Sequence, residues 1–145
     1  MQPPDISSPH HPDRHYSKTL LVPASAIDDN GHVNNVIYVQ WMQDIAIEHY
    51  LALEGLDPMR QMDATWVVRE HRVEYLLPAF AGEEIEIRTW VESLRRVRLL
   101  RKYEFVRRSD GKALVRGGTD WVFVDLKTRR PRALPEEVIR LFGFS

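Results

Sequence analysis

Apolar residues follow a helical spacing through one long stretch of the chain and a period of two through most of the rest. From about Asn34 to Glu54, the residues Tyr38, Trp41, Met42, Ile45, His49, Ala52 and Leu53 fall on one helical face. Val36, Ile37, Val39, Ala46 and Ile47 leave much of the remaining surface apolar, and a helix apolar nearly all round is wrapped by other structure. Either Asn34 or Asn35 can cap its start by accepting from a free backbone N–H, and Gly55 followed by Pro58 is its stop signal. Ahead of the helix, Thr19 to Ala26 reads as a short strand that Pro23 confines to an edge or a bulge. Leu56 to Ala64 reads as a polar connection.

Period two takes over at Trp66. From there to Leu77, Val68, Glu70, Arg72 and Glu74 alternate with Val67, Arg69, His71, Val73 and Tyr75, and neither set is cleanly apolar. Pro78 ends the run and Gly82 marks the next turn. Glu84 to Leu94 alternates well, with Ile85, Ile87, Thr89 and Val91 on one face. Val97 to Arg108 sets Val97, Leu99, Arg101, Tyr103 and Phe105 on one side, and Ser109-Asp110-Gly111-Lys112 is a hairpin turn. Ala113 to Asp125 returns with Trp121 and Phe123 on one face, while Gly117-Gly118 marks a bulge or a close backbone approach. A short helix, Glu136 to Leu141, follows Pro135. This order predicts one α+β domain, an antiparallel sheet wrapped around a single long central helix, with no repeat and no second domain.

Composition narrows the partners. The 145 residues suit one domain with a substantial core. Lys and Arg number 20 against 21 Asp and Glu, a net charge of −1 that gives no reason to expect a nucleic-acid partner. The absence of cysteine excludes disulfides, a zinc-thiolate site and a cysteine nucleophile, and is compatible with a reducing compartment. Residues 1–17 carry Pro3, Pro4, Pro9 and Pro12 without an apolar h-region, so they read as a disordered tail and not a signal peptide. No run is long enough to cross a membrane, and the cytoplasm is the expected location. His10-His11 lies in the tail without partner ligands, and His32, His49 and His71 lack metal-ligand spacing, so no metal is expected. His49 reads as a helix residue lodged in the core.

The chemistry concentrates just before the long helix. Asp28-Asp29-Asn30-Gly31-His32 is a polar turn, with Asn30-Gly31 supplying the positive backbone angles. Asp28, Asn30 and His32 then sit beside a helix N-terminus, whose oriented N–H groups and dipole can hold a developing oxyanion. Taken singly, each of these residues reads as part of a capped turn; the cluster as a whole is what points to catalysis. Other plans lack their parts: there is no Gly-x-Ser-x-Gly, no phosphate loop and no Gly-x-Gly-x-x-Gly, so no nucleotide cofactor is expected. Arg95, Arg96, Arg98, Arg101, Lys102, Arg107 and Arg108 crowd in and around one strand. Such a run is ordinarily a solvated face; the sharper alternative is a grip on a phosphate-bearing substrate tail. Glu70, His71 and Glu74 on the preceding strand either line the same cleft or form surface pairs.

Asp28-Asp29-Asn30-Gly31-His32-Val33-Asn34-Asn35, followed by Tyr38 and Trp41, resembles the hotdog-fold acyl thioesterases, and the likeness runs from about Lys18 to Lys127. Val73-Glu74-Tyr75-Leu76-Leu77-Pro78 leading to Gly82-Glu83 fits the same family. The resemblance to hydroxybenzoyl-CoA thioesterases implies Asp28 as the catalytic carboxylate and the Asn35 backbone N–H as the group that polarises the thioester carbonyl. Plant acyl-carrier-protein thioesterases are similar in placing Asp, Asn and His at alternate positions, here Asp28, Asn30 and His32. The chain departs from relatives at Ala26, where many carry a further Asp, and near Pro78, where the plant enzymes use an acidic residue. The family implies hydrolysis of acyl thioesters without fixing the acyl group or the carrier; acyl-CoA is the expected carrier, with Asp28 as general base or as nucleophile. The acyl chain is expected in an apolar channel beside Tyr38 and Trp41, and the fold's habit of pairing sheets edge to edge implies a homodimer or homotetramer; within the basic run, Arg95 and Arg96, which adjoin the turn, are the first candidates for the CoA phosphates. Acyl-carrier-protein hydrolysis, thioester hydration and acyl binding without turnover are the alternatives on the same fold.

Overall fold

The computed structural model describes residues 14–144, so residues 1–13 of the expected tail, with His10-His11, lie outside the described residues. The elements in chain order are β1 (His15–Leu21), α1 (Asn35–Ala52), α2 (Leu56–Gln61), β2 (Ala64–Tyr75), β3 (Glu84–Arg95), β4 (Arg98–Arg107), β5 (Ala113–Asp125) and α3 (Glu136–Leu141). The strands form one antiparallel sheet in the order β1-β3-β4-β5-β2. Alternation built the central strands as expected. Ile85, Ile87, Thr89 and Val91 of β3 and Leu99, Arg101, Tyr103 and Phe105 of β4 are all buried. Ile85, Ile87, Tyr103 and Phe105 pack in one cluster with Tyr38, Met42, Ile45 and Ala46 of α1.

β2 shows no clean alternation because it contains an extra residue. Its register against β5 shifts between Val68 and Glu70, leaving Arg69 out of the pairing. Trp66 and Val68 before this bulge therefore share a face with His71, Val73 and Tyr75 after it, opposite Phe123, Trp121, Thr119, Gly117 and Val115. β1 begins at His15, opposite Trp90, so residues 15–17 belong to the sheet and not to the tail. Ladder hydrogen bonds to β3 order a segment whose composition alone reads as disordered. The same strand ends at Leu21, short of Ala26, because Pro23 lacks the N–H a ladder needs and Ala24–Ala26 winds into a 3-10 turn.

α1 is capped by Asn34, whose side chain accepts the Val36 N–H at 3.0 Å. Its sheet-facing stripe is Tyr38, Met42, Ile45, Ala46 and His49, all buried. Seating a helix this close needs Gly117, where a Cβ would lie 3.0 Å from Met42 Sδ and 3.2 Å from the Arg72 carbonyl. The glycine pair thus marks a close approach, and the strand is not bulged there. The helix is not wrapped on every side, contrary to its all-round apolar sequence: Val36 is 71%, Ile47 53% and Leu51 50% exposed. The connection after it is not irregular either. Pro58 sits in the first turn of α2, where the missing N–H has no intrahelical acceptor to lose. α3 closes the far end of the core with Val138 and, just past its end, Phe142.

Candidate active site

The turn ahead of α1 is held by its own backbone. Ile27 bridges Val33, the Asp28 N–H donates to the His32 carbonyl at 3.0 Å, and the Gly31 N–H donates to the Asp28 carbonyl at 3.0 Å. Gly31 has φ 83°, a value that costs an L side chain and not glycine. The Asn30 N–H donates to Asp28 Oδ1 at 2.9 Å, which leaves Oδ2 of the same carboxylate for other work. The turn is then tied down on both sides, Asn34 N–H to the Ala26 carbonyl and Val33 N–H to the Ala79 carbonyl, each at 2.9 Å. Asp28 and His32 are half-buried, while Asn30 and Asn35 are exposed.

Beside the turn lies an open groove of ≈ 260 Å³ walled by His32, Asn35, Tyr38, Tyr75, Leu77 and Pro78 among others. The structure therefore brings His32, Asn35 and Tyr38 onto one wall, with Asp28 and Asn30 on the adjoining turn. Asn35 is the first residue of α1, and its N–H has no intrahelical acceptor by helix geometry. His32 Nδ1 lies 3.2 Å from the Val33 carbonyl, which can only accept, so the ring proton sits on Nδ1 and Nε2 is left as an acceptor. Tyr38 is the buried floor of the groove: its ring meets Tyr75 at 5.8 Å and Phe105 at 5.1 Å. Burial, then Glu83, pushes its hydroxyl pKa up to about 12, and that hydroxyl has no hydrogen-bond partner among the described residues. Trp41 stands edge-on to Tyr38 at 5.5 Å, behind the groove and off its wall.

Two residues that the sequence offers only as members of longer runs, Tyr75 in the family-like stretch and Arg107 in the basic run, shape this site. The Tyr75 hydroxyl donates to the Asn35 carbonyl at 2.8 Å, fixing the helix start against β2. Arg107 donates to the Pro78 carbonyl at 2.7 Å and pairs with Glu83 at 3.0 Å and Asp110 at 3.1 Å, which pins the far wall. Tyr75 was hidden by the bulge, which puts it on the inner face.

The basic run divides. Arg101 points to the inner face at 2% exposure, on the opposite side of the sheet from Arg95, Arg98 and Lys102, so it does not belong with them as the sequence grouped it. Arg95, Arg98 and Lys102 line a hollow on the outer sheet face with Glu70, Arg72 and Asp120, and Arg98 is paired to Asp120. Arg96 occupies the β3–β4 turn at φ 55°. Arg95 and Arg96 stand at the opposite end of the sheet from Asp28, since β3 starts beside Leu21 and runs twelve residues before reaching Arg95. At roughly 3.3 Å per residue that is about 36 Å within one chain. A second hollow, ≈ 280 Å³, lies at the far end of α1, bounded by Ile47, Tyr50 and Leu51 and by Thr65 and Trp66 of β2. Among the described residues no group of three His, Asp or Glu side chains could hold a metal ion, and no helix is long and apolar enough to cross a membrane.

Comparison with known proteins places the fold and the family. The palmitoyl-acyl carrier protein thioesterase of Cuphea hookeriana is 28% identical over 105 residues, 67% of this chain and 25% of that protein. The chain spans only about a fifth to a quarter of the curated relatives it matches (19% and 25%). A Staphylococcus aureus protein solved in complex with CoA superposes with a TM-score of 0.82 at 19% identity, covering 94% of this chain and 86% of that one. The 1,4-dihydroxy-2-naphthoyl-CoA thioesterase of Synechocystis gives 0.77 at 19% identity, covering 88% and 95%. At such identities the likeness is one of fold, the α+β hotdog arrangement of a five-strand antiparallel sheet with one long central helix. The model of the thioesterase-like superfamily matches residues 22–142, from the end of β1 to the end of α3, and the chain belongs to that family.

Proposed function

We propose that this protein hydrolyses acyl thioesters, with acyl-CoA as the carrier form, to a free acid and a thiol. The observation that carries the reading is the turn: a carboxylate, Asp28, is tethered by the Asn30 N–H just ahead of a helix whose first residue, Asn35, lines an open groove. Family membership supports the same chemistry. The thioester carbonyl oxygen accepts from the Asn35 N–H, which stabilises the oxyanion as the carbon becomes tetrahedral. Asp28 either takes a proton from the attacking water or attacks the carbon itself; in both routes the C–S bond breaks and the thiolate leaves. Asn30 and the His32 Nε2 orient the water or the carboxylate, and Tyr38 and Trp41 back the acyl end. In the nucleophilic route, water that attacks the Asp28 carbonyl of the anhydride expels the acyl carboxylate and leaves its oxygen in Asp28, so label in Asp28 after single turnover in isotopically labelled water marks that route.

The reading includes an assembly through β2. Among the described residues that strand is a sheet edge with one unpaired side, and Tyr75 on its helix-facing side is exposed, as are Val36, Ile47 and Leu51 of α1. A long bare edge next to apolar surface is a pairing site. Antiparallel pairing of two such edges sets the Tyr75 end of one subunit against the Ala64 end of its partner. The groove of one subunit then adjoins the second hollow of the other, and the partner's β3–β4 turn comes to the groove end. Arg95 and Arg96 would meet the CoA phosphates across the pair, a role no single chain's spacing allows.

The testing experiment is thiol release from acyl-CoA and from the matched acyl-carrier protein, for the wild type and Asp28→Asn. The substitution keeps size and turn-forming ability and removes the charge. Activity on acyl-CoA should fall at least ~10²-fold with an unchanged melting temperature. Near-normal turnover would remove Asp28 from the mechanism, and turnover confined to the carrier protein would replace CoA as the carrier.

A further inference from the structure

Arg101 is a buried cation that the hydrolysis described above does not use. It leaves the inner face of β4 and lines the second hollow, whose other walls include Ala46, Tyr50, Trp66, Trp121 and Phe142. Both of its side-chain hydrogen bonds among the described residues leave from Nη1, to His49 Nδ1 at 2.9 Å and to Thr89 Oγ1 at 3.1 Å. Arginine only donates, so His49 Nδ1 is the acceptor there. No Asp or Glu among the described residues pairs with the guanidinium, and Nε and Nη2 have no acceptor in that set. Burial draws its pKa down to about 10, which still leaves it charged at neutral pH.

Other polar groups at the same place are loosely matched. The Trp66 indole N–H faces the Tyr50 hydroxyl and the Trp121 indole N–H faces the Tyr103 hydroxyl, and none of these buried groups makes a close, well-aligned hydrogen bond among the described residues. A pocket meant only for hydrocarbon has no reason to hold a guanidinium with no carboxylate partner among the described residues, since such a charge is costly to bury unmatched. The group that matches it is rich in acceptors and negative, and a carboxylate fits the free side of a guanidinium fork.

We propose that the hollow receives the far end of the acyl group, and that this end is a carboxylate gripped by Nε and Nη2 of Arg101. The substrates are then thioesters of dicarboxylic acids, a class that goes beyond the hydrolase reading and rests on it for turnover. Antiparallel pairing of β2 supplies the route: the acyl group enters at the groove of one subunit and ends against Arg101 of the other. Arg101 is a specificity residue, remote from the bond that breaks, and its loss should change which chain is chosen and not the chemistry.

The test compares acyl-CoAs from four to twelve carbons, methyl-ended against ω-carboxylated, on the wild type, Arg101→Met and Arg101→Lys. For wild type, kcat/KM at the best length should favour the ω-carboxylated member by about 10-fold or more, the scale of a charge-assisted hydrogen bond. Arg101→Met should abolish or reverse that preference while keeping kcat on methyl-ended chains, and Arg101→Lys should keep part of it. If either variant fails to fold, the wild-type preference still decides. Direct binding separates this inference from the hydrolase reading: decanedioate, and not decanoate, should raise the wild-type melting temperature. Stabilisation by the diacid without turnover of any thioester would sink the hydrolase reading and leave the site. Turnover with equal or better use of methyl-ended chains, and no stabilisation by decanedioate, overturns the site and leaves the hydrolase.

Discussion

At the scale of single residues, the groups with the clearest chemical signature were legible because they act through local backbone. Asp28, Asn30 and Gly31 form a turn whose bonds span a few residues, so their grouping could be read from the sequence. Tyr75 and Arg107 reach the site from 40 and 29 residues away, and no local pattern announces them. His71 is another such case: Nδ1 lies 2.9 Å from Thr119 Oγ1 across the β2–β5 ladder, and burial lowers its pKa from 6.5. The unfolded chain takes up that proton near pH 6.5 and the folded one only at lower pH. Between those two values the unfolded state binds more protons, so this residue's effect is to reduce stability as pH falls through that window, with no effect above it. Urea midpoints measured from about pH 8 down to about pH 5 should therefore decline less in His71→Gln than in wild type, and parallel declines would assign the pH dependence to other groups.

At the scale of elements, fixed periods found β3, β4, β5 and α1 and failed wherever the period changes. Arg69 shifts the phase of β2 halfway along, so two half-strands of opposite parity read as one muddled strand. β1 was shortened at its start because composition spoke for the tail while pairing with β3 decides the fold. α2 was missed because six residues containing a proline carry too little periodicity to register. By sequence Gly117-Gly118 marks a bulge or a close backbone approach; the ladder runs unbroken there, and the close neighbours of Gly117 are the Met42 side chain and the Arg72 carbonyl. That contact separates the two glycines. Gly117→Ala forces a methyl to within 3.0 Å of Met42 Sδ and 3.2 Å of the Arg72 carbonyl, whereas the nearest atom at Gly118 is Lys102 Cδ at 3.5 Å. Overpacking of this kind costs about 1–3 kcal/mol. Gly117→Ala should lower the denaturation midpoint by an amount of that order and Gly118→Ala by clearly less; equal effects would mean that Met42 swings aside.

At the scale of the whole molecule, the all-round apolar surface of α1 exceeds what its own sheet covers. The sheet buries one side, and Val36, Ile47 and Leu51 stay open on the other. If a second copy covers them along β2, charges introduced there should split the assembly. Ile47→Glu with Leu51→Glu should reduce the mass in light scattering to that of one 17.0 kDa chain. Thioesterase activity should fall in parallel, because groove and hollow no longer meet, while far-ultraviolet circular dichroism stays near the wild-type spectrum. A double variant that keeps its mass, or a monomer that keeps full activity, would place the interface elsewhere.

The bulge at Arg69 also governs how the length of this chain can vary. Without Arg69, Trp66, Val68, His71, Val73 and Tyr75 would alternate regularly and every side chain would keep its present face. A residue lost between His71 and Tyr75 has no such slack to absorb it: without Arg72, Glu74 turns toward the helix and Tyr75 turns away from the Asn35 carbonyl it now holds. β2 can therefore take a deletion at Arg69 silently, whereas one three residues later dismantles the wall of the groove.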